Sequence, residues 1–309
     1  MIDSSSPTRS TLDGTPKWLD RSLYPFTAHW FDSADGRMHY VDEGSGETIV
    51  FVHGTPTWSF LFRHFITRLA RQYRVIAVDH LGFGLSDKPV NASYEPADHA
   101  RRLGDLLDSL DVCSASFVVH DFGGPIGLGA ALARPDRVER LVLFNTWMWS
   151  IADDPTIARG ARVAGSWAGR VLYRHLNFPV KALMPKVVGD RRVLTPEIVR
   201  HYAAPLASPD ERMGAWECAR ALLGASEWFD RLWSQRAVLR DTPMLLLWGL
   251  KDPTFGARYL ERWRNAFPDA RVHTFPTSGH FVPEEAASAA APLLEQFLEA
   301  QADRPAAVR

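Results

Sequence analysis

Residues 118–125 read VVHDFGGP, and this stretch decides how the rest of the chain is interpreted. Its apolar half is typical of a buried strand, and its glycine pair permits a sharp turn into a helix. Such a strand–turn–helix unit lifts one side chain, here Asp121, above the edge of a sheet. A carboxylate is ionised at neutral pH. Asp121 can therefore attack a saturated carbon without a base and form an ester with it.

Short apolar runs recur on both sides of this unit and predict buried strands. They are Thr48–His53, Arg74–Asp79, Ala115–His120, Leu141–Asn145, Met244–Trp248 and Arg271–Phe275. Segments with helical spacing, such as Arg101–Leu110 and Gly124–Arg134, lie between most of them. Phe26–Asp32 and Met38–Asp42 flank a Ser-Ala-Asp-Gly turn and predict an antiparallel hairpin. The sequence therefore predicts an α/β fold with a mostly parallel sheet of eight strands.

The segment from Thr146 to Gln235 contains no buried-strand run. Its Arg-, Ala- and Trp-rich stretches, broken by prolines, predict a helical insertion that caps the carboxyl ends of the strands, where open α/β sheets bind ligands. The predicted division is an N-terminal extension at 1–22, a core at 23–145 and 236–300, a helical cap at 146–235 and a polar tail at 301–309.

Composition and charge limit the classes of function. The chain has 35 Lys and Arg against 36 Asp and Glu, so no overall positive field would recruit nucleic acid or an anionic membrane. Cys113 and Cys218 are too few for a disulfide framework or a thiolate metal site. The polar start of the chain lacks the apolar run of a signal peptide. We expect a cytoplasmic protein that acts on a small molecule and water, with no metal or organic cofactor.

Two further groups complete a catalytic set with Asp121. His280 lies in a Ser-Gly-His-Phe loop after the last predicted strand, and its pKa class suits proton removal from water. Asp252 follows the preceding strand and can fix the tautomer of His280. The main-chain N–H groups of Thr55, in a His-Gly-Thr-Pro loop, and of Phe122 are predicted to form an oxyanion hole.

Each of these features has a structural explanation when it is taken alone. An Asp before two glycines is a common turn former, and a Gly-His or Lys-Asp pair is common in solvated loops. Their order in the sequence and their positions at strand ends favour the catalytic interpretation. For Asp79, Gly82, Gly84 and Ser86 we favour structural hydrogen bonds in a turn. His120 is predicted to be a packed neighbour of the site rather than a catalyst.

From about Leu23 to Leu298 the chain resembles the haloalkane dehalogenase group of α/β-hydrolases, which is close to epoxide hydrolases. The strings that carry the resemblance are WFD at 30–32, YVDEG at 40–44, HGTPTWSF at 53–60, HDFGGP at 120–125 and GHF at 279–281. The resemblance implies the α/β-hydrolase fold, a nucleophile at Asp121 and a water-activating histidine at His280. Subfamilies place the acid after either of two strands. Asn145 at the first position is neutral, which leaves Asp252 and an Asp-His-Asp triad.

Two residues depart from the pattern of that family. Most of these dehalogenases have tryptophan after the nucleophile, whose N–H holds the halide, but Phe122 has no polar donor. Many have asparagine where Thr55 stands. Candidates to replace the missing donors are Trp147, Trp149 and Trp167. In epoxide hydrolases two cap tyrosines protonate the opening oxygen, a role for which Tyr173 and Tyr202 are candidates.

The leading hypothesis is hydrolytic dehalogenation of a small apolar substrate through an ester at Asp121. The first alternative is the opening of an epoxide or another strained ring by the same nucleophile. The second is a non-catalytic relative that only binds a small molecule, for which the missing halide donors are the argument.

Overall fold

A computed structural model describes residues 16–302, except for the side chains of 301 and 302. Most of the predicted N-terminal extension and the end of the predicted tail lie outside these residues. Eight strands form one sheet in the order β1-β2-β4-β3-β5-β6-β7-β8. They are β1 His29–Ser33, β2 Gly36–Glu43, β3 Thr48–Val52, β4 Arg74–Val78, β5 Ala115–Asp121, β6 Val138–Thr146, β7 Met244–Gly249 and β8 Arg271–Phe275. Only the pairings of β2 are antiparallel. The predicted α/β-hydrolase fold with a mostly parallel eight-stranded sheet is confirmed.

Two predicted strand starts differ from the structure by three residues, and the other boundaries differ by at most two. The hairpin begins at His29 rather than Phe26, because Phe26 packs edge-on against Tyr24, with ring centroids 4.9 Å apart, in the core. β6 begins at Val138 rather than Leu141 and pairs with β5 from that residue onward. The charged Arg140 hides this extension in the sequence. It is buried in the strand and forms an ion pair with a carboxylate on a neighbouring loop.

Helices cover both faces of the sheet and connect its strands. In chain order they are α1 Arg63–Leu69, α2 Pro96–Ser109, α3 Gly123–Ala133, α4 Pro155–Gly165, α5 Trp167–Arg170, α6 Met184–Val187, α7 Pro196–Ala203, α8 Met213–Gly224, α9 Ser226–Ser234, α10 Ala257–Ala266, α11 Val282–Glu285 and α12 Ala287–Ala302. Short 3₁₀ turns lie at Ser59–Phe62, Pro135–Arg137, Arg191–Val193, Ala204–Leu206 and Arg236–Leu239, and π-helical turns at Val171–His175 and Pro179–Leu183. No helix of the described chain is long and apolar enough to cross a bilayer.

The core is divided into two clusters by the sheet, since successive side chains of a strand point to opposite faces. In β5, Phe117 and Val119 belong to one cluster, which includes Leu103 of α2 and Ile126 of α3. The intervening Val118 belongs to the other cluster, which includes side chains of α1 and α12. β5 is therefore buried on both faces, and its carboxyl end is held rigidly at the centre of the sheet.

The chain between β6 and β7 contains helices and turns and no strand, and residues 146–243 are all described. This agrees in kind with the helical insertion expected from the sequence. The division into core and cap at 146–235 stays a prediction.

Candidate active site

Asp121 ends β5 in a backbone conformation that residues other than glycine rarely adopt. Its φ is 54°, in the left-handed region. A Cβ at Gly123 would overlap the carbonyl oxygen of Val52, and a Cβ at Gly124 would overlap the Thr146 hydroxyl, so only glycine permits the turn into α3. The hydroxyl of Thr146 donates to the carbonyl oxygen of Asp121 at 2.5 Å. The turn is thereby fixed with the Asp121 carboxylate raised at the end of the strand.

The three predicted catalytic side chains lie together. Nδ1 of His280 is 2.8 Å from Oδ2 of Asp252, and its Nε2 is 3.5 Å from Oδ2 of Asp121. All three residues are buried, with between 5% and 6% of their surface exposed. The imidazole thus stands between two carboxylates, in the order that a nucleophile, a base and an orienting acid require.

The electrostatics follow from this arrangement. Burial lowers the pKa of His280, but the charge of Asp252 and the hydrogen bonds to Asp121 and Asp252 outweigh burial and raise it to about 10. Burial raises the pKa of Asp252, but the charge and hydrogen bond of His280 outweigh burial and lower it. An imidazolium is therefore the stable form of His280 while both carboxylates are charged.

Asn145 holds the carboxylate of Asp252, a contact that sequence reasoning missed. It ends the regular part of β6 with a φ of 25°, and its Nδ2 donates to Oδ2 of Asp252 at 3.0 Å and to the carbonyl oxygen of Gly249 at 3.0 Å. Its Oδ1 accepts from the N–H of Gly249 at 2.8 Å. The N–H of Thr254 donates to the other Asp252 oxygen at 2.8 Å. The available signal was a polar residue at the end of the strand between those that carry Asp121 and Asp252.

The loop after β3 reaches the predicted nucleophile. The N–H of Thr55 donates to Oδ1 of Asp121 at 2.8 Å. A Cβ at Gly54 would overlap the Asp121 carboxylate, so glycine lets the loop approach this closely. Phe122 follows Asp121 directly, and the predicted role of its N–H group stays a prediction.

Trp147 is the candidate donor that lies against the site. It is fully buried, meets the Phe122 ring edge-on at a centroid distance of 4.9 Å and stacks on Phe255 at 4.4 Å. The Phe255 ring lies 5.8 Å from the ring of His280. Among the described residues no hydrogen-bond partner exists for the buried Nε1 of Trp147. An unpaired donor therefore lies in the aromatic wall that Phe122, Trp147 and Phe255 form beside Asp121 and His280.

The other two candidate tryptophans are placed differently. Trp149 packs in an aromatic cluster with Trp233, Tyr259 and Trp263, at centroid distances of 4.9, 5.6 and 5.3 Å. Trp167 is 81% exposed. Neither position favours a role in holding a leaving group.

The two candidate tyrosines do not form an equivalent pair. The hydroxyl of Tyr202 donates to Glu284 at 2.5 Å, and Glu284 is also the ion-pair partner of Arg63. Tyr173 lies in the π-helical turn after α5, and burial together with the charges of Cys218 and Asp121 raises its pKa to about 12. Of the two tyrosines, only Tyr173 has a pKa that the charge of Asp121 raises. Its hydroxyl, unlike that of Tyr202, does not donate to a carboxylate.

His120 supports the loop that carries His280. Its Nε2 lies 2.9 Å from the carbonyl oxygen of His280, and the two rings are 4.7 Å apart. Burial, with a smaller contribution from the charge of His280, lowers the pKa of His120 to about 3. It is a packed neighbour of the site, as the sequence predicted.

Asp79 organises the turn after β4. Its two carboxylate oxygens accept from the N–H groups of Ser59 and Leu85 at 2.8 and 2.9 Å, and the Ser86 hydroxyl donates to its carbonyl oxygen at 2.6 Å. Gly84 has a φ of 48°, and a Cβ there would overlap the Asp79 carboxylate. The predicted structural role of this turn is confirmed.

Three further histidines form a buried cluster behind the loop of Thr55. The ring of His80 lies 4.5 Å from that of His53 and 5.2 Å from that of His99. The main-chain N–H of His80 donates to Nε2 of His53 at 3.0 Å. Nδ1 of His53 therefore carries the proton, and it donates to the carbonyl oxygen of Gly54 at 2.8 Å. Burial lowers the pKa of all three side chains, and that of His99 to about 3.

Comparison with known proteins agrees with the fold and adds a functional context. The family model described as alpha/beta hydrolase fold matches residues 47–177 and 217–287. Haloalkane dehalogenase 2 of Mycobacterium tuberculosis is 38% identical over 290 residues, covering 93% of this chain and 99% of the relative. The cis-3-alkyl-4-alkyloxetan-2-one decarboxylase of Shewanella oneidensis is 33% identical over 287 residues, covering 90% of each chain.

A solved structure gives the same result in three dimensions. The haloalkane dehalogenase DatA of Agrobacterium tumefaciens superimposes with a TM-score of 0.80 at 29% identity, covering 89% of this chain and 97% of that protein. The chain therefore belongs to the α/β-hydrolase family. Within that family it is a hydrolase with haloalkane dehalogenases among its relatives.

Proposed function

We propose that this protein hydrolyses carbon–halogen bonds of small apolar substrates through a covalent ester at Asp121. The observation that carries the proposal is the arrangement of Asp121, His280 and Asp252, in which one imidazole faces two carboxylates at 3.5 and 2.8 Å. The names of the relatives support the choice of reaction. The aromatic side chains of Phe122, Trp147 and Phe255 around the site suit an apolar substrate.

In the first step an oxygen of Asp121 displaces the halide. The N–H of Thr55 holds Oδ1, whereas Oδ2 faces the imidazole, so we assign the attack to Oδ2. A new bond forms between Oδ2 and the substrate carbon. The carbon–halogen bond breaks, and the halide leaves with the bonding electron pair. The product is an uncharged alkyl ester of Asp121.

In the second step His280 activates a water molecule. Esterification removes the negative charge of Asp121, and with it one of the causes that hold the pKa of His280 at about 10. The imidazole can then lose its proton and act as a base. Water attacks Cγ of the ester while Nε2 takes its proton, and the bond between Cγ and Oδ2 then breaks. The alcohol leaves with Oδ2 still bound to its carbon and takes up a proton from the imidazolium, while the oxygen of water stays in the Asp121 carboxyl group, whose proton passes to His280.

Two groups of the chain stabilise the charges that develop. During hydrolysis the oxyanion forms at Oδ1, where the Thr55 N–H already donates at 2.8 Å. During halide departure we assign the donor role to Nε1 of Trp147, which is buried and unpaired among the described residues. Trp147 would thus replace the donor that Phe122 lacks.

Single-turnover hydrolysis of a bromoalkane in H₂¹⁸O tests this function. We expect halide release, incorporation of ¹⁸O into the Asp121 carboxylate, and loss of halide release in Asp121→Asn. Trp147→Phe should lower the rate of halide release by roughly tenfold to a hundredfold, since one donor to a developing charge is removed. Asp269→Asn, which changes an exposed carboxylate, is the control. Full halide release by Asp121→Asn, or an unlabelled Asp121 after turnover, would refute the mechanism.

Opening of a strained lactone ring is the second candidate, and one observation favours it. Phe122 offers no polar donor next to Asp121, and a ring-opening reaction keeps its leaving group attached as a carboxylate. Relatives named as decarboxylases of dialkyl-oxetan-2-ones are 31% to 33% identical to this chain. Attack of Asp121 on ring carbon 4 would break the bond of that carbon to the ring oxygen and leave a carboxylate on carbon 3. Loss of this carboxylate as carbon dioxide, with formation of a double bond between carbons 3 and 4, would expel the Asp121 carboxylate and regenerate it. Carbon dioxide release from a cis-3,4-dialkyl-oxetan-2-one, without halide release from bromoalkanes, would establish this candidate in place of the first.

We also propose a cytoplasmic location. Cys113 is an exposed thiol and Cys218 a buried one, and neither is part of a disulfide. Free thiols of this kind persist in a reducing compartment.

A further inference from the structure

One corner between β6 and β7 exposes a large aromatic side chain. Trp167 is 81% exposed, the highest fraction among the exposed large hydrophobic residues of the described chain, and Val163 is 47% exposed. Arg159 and Arg162 share the outer face of α4 with Val163, because residues three and four apart lie on one side of a helix. We define the α4–α5 corner as Arg159, Arg162, Val163, Trp167 and Arg170.

The backbone of this corner is fixed by contacts within the protein. Ser166 separates α4 from α5, and its hydroxyl accepts from the N–H of Gly169 at 3.2 Å. A Cβ at Gly169 would overlap the carbonyl oxygen of Ala164, so α5 packs directly on the end of α4. The indole of Trp216 donates to that same carbonyl oxygen at 2.8 Å. Trp167 therefore projects from an anchored turn.

The segment of the chain that contains the corner carries only positive charges. Residues 155–189 contain no Asp or Glu, and their Lys and Arg residues are Arg159, Arg162, Arg170, Arg174, Lys181 and Lys186. Arg174 is buried and forms an ion pair with Asp210. On the neighbouring α8, Glu217 is engaged by Arg220 at 2.8 Å. Within residues 16–302 no acidic partner lies within ion-pair distance of Arg159, Arg162, Lys181 or Lys186.

Nothing in the described chain covers this face. A Cβ added at Gly160 or Gly165 would meet no atom within 4 Å. The chain as a whole carries a formal charge of −1, so the positive charge is a local property of this corner. The net charge of the whole chain, from which no attraction to a membrane is expected, therefore gives no sign of this local positive charge.

We propose that the α4–α5 corner docks the protein on an anionic lipid surface. Tryptophan is favoured at the boundary between head groups and acyl chains, and arginine beside it pairs with lipid phosphates. A protein partner would have to present a fitted apolar pocket ringed by acids. An anionic bilayer offers apolar depth and negative charge without a fitted surface. Apolar substrates of the proposed function would concentrate in the same bilayer.

Vesicle flotation of the full chain tests this docking. We expect the protein to float with vesicles of phosphatidylcholine and phosphatidylglycerol, to stay unbound with phosphatidylcholine alone, and to be released by high salt. Each basic residue near such a surface strengthens binding about fivefold. Arg159→Gln with Arg162→Gln should therefore weaken the partition coefficient roughly 25-fold, and Trp167→Ala should weaken it independently.

Arg71→Gln with Arg264→Gln is the matched control, because both are exposed arginines outside the corner. This pair should float almost as the wild type does. The proposal is overturned if the wild type does not float with anionic vesicles, if it floats equally with phosphatidylcholine alone, or if the corner and control pairs lose equal affinity. It is also overturned if sedimentation shows a dimer that only the corner substitutions dissociate. Halide release does not enter the readout, so the docking can fail while the proposed function stands.

Discussion

The buried histidine of the candidate site, His280, and the three buried histidines behind the loop of Thr55 have opposite protonation tendencies. His280 stands between Asp252 and Asp121, and its pKa rises to about 10. His99 is equally buried, but its neighbours are Arg102 and His80, and its pKa falls to about 3. Burial acts against the charged imidazolium in both places. Only the two carboxylates reverse its effect, so the neighbours and not the depth decide whether a buried histidine keeps its proton.

The neutral group has a structural consequence for the site. Nε2 of His53 accepts from the main-chain N–H of His80, so Nδ1 carries the proton and donates to the carbonyl oxygen of Gly54. The next residue is Thr55, whose N–H holds Asp121. Neutral histidines thus support the loop on one side of Asp121, while a charged one faces its other oxygen.

Removal of the Asp252 carboxylate, the proposed orienting acid, should have the largest effect on turnover. In Asp252→Asn the imidazole loses its charged partner and its fixed tautomer. We expect the turnover number for halide release to fall roughly 10³- to 10⁴-fold, the size of effect that the loss of such a carboxylate has in other triads. Asp269→Asn, the change of an exposed carboxylate, should keep nearly full turnover. A loss of less than tenfold in Asp252→Asn would show that Asp252 is not the orienting acid.

The contribution of the Asp121 charge to the raised pKa of His280 can be measured separately. In Asp121→Asn one of the two carboxylates that raise the pKa of His280 becomes neutral. We expect the titration midpoint of His280, followed by NMR of ¹⁵N-histidine-labelled protein, to fall by roughly one to three pKa units. The signals of His99 provide an internal control and should not move. An unchanged midpoint for His280 would exclude the proposed release of its proton on esterification.

The neutral state of His99, one of the three buried histidines behind the loop of Thr55, can be tested through the pH dependence of the free energy of unfolding. The pKa of His99 is about 3 in the folded chain and 6.5 as a model value, so the folded state excludes a proton that the unfolded state binds. Above about pH 6.5 His99 does not lower the free energy of unfolding. As the pH falls from 6.5 toward 3, the unfolded state binds this proton and the free energy of unfolding decreases. Between about pH 7 and about pH 5, the free energy of unfolding should therefore fall by about 2 kcal/mol more in the wild type than in His99→Phe.

Urea unfolding at the two pH values measures that difference. His273→Phe is the control, because His273 is exposed on β8. The same pH dependence in His99→Phe and in the wild type would mean that other groups cause the acid instability.

Much of the fold follows from local pattern. The apolar runs predicted the parallel strands because a strand buried on both faces has little room for polar residues. Arg140 concealed the start of β6, since its partner Glu47 lies far away in the sequence. The helical insertion was visible as an absence of strands, but its π-helical turns and the anchored corner at Ser166 were not.

The candidate site was predictable to different depths. Asp121, His280 and Asp252 were recognisable because each stands at the end of a strand, and carboxyl ends of parallel strands meet at one edge of the sheet. From the sequence, Asn145 is recognisable only as a residue that cannot be the acid. Its contacts with Asp252 and Gly249 depend on the order of neighbouring strands. Trp147, Trp149 and Trp167 were equivalent candidates in sequence and are separated only by burial and partners.

The sequence by itself determined the strand–turn–helix unit at Asp121, because glycines at 123 and 124 and a polar residue at the turn are local requirements of the backbone. Tertiary structure alone decided the protonation of the histidines, the donor in the aromatic wall and the exposure of Trp167. These properties depend on distances between residues far apart in the chain. Electrostatic and packing energies change steeply with those distances, and only the folded chain fixes them.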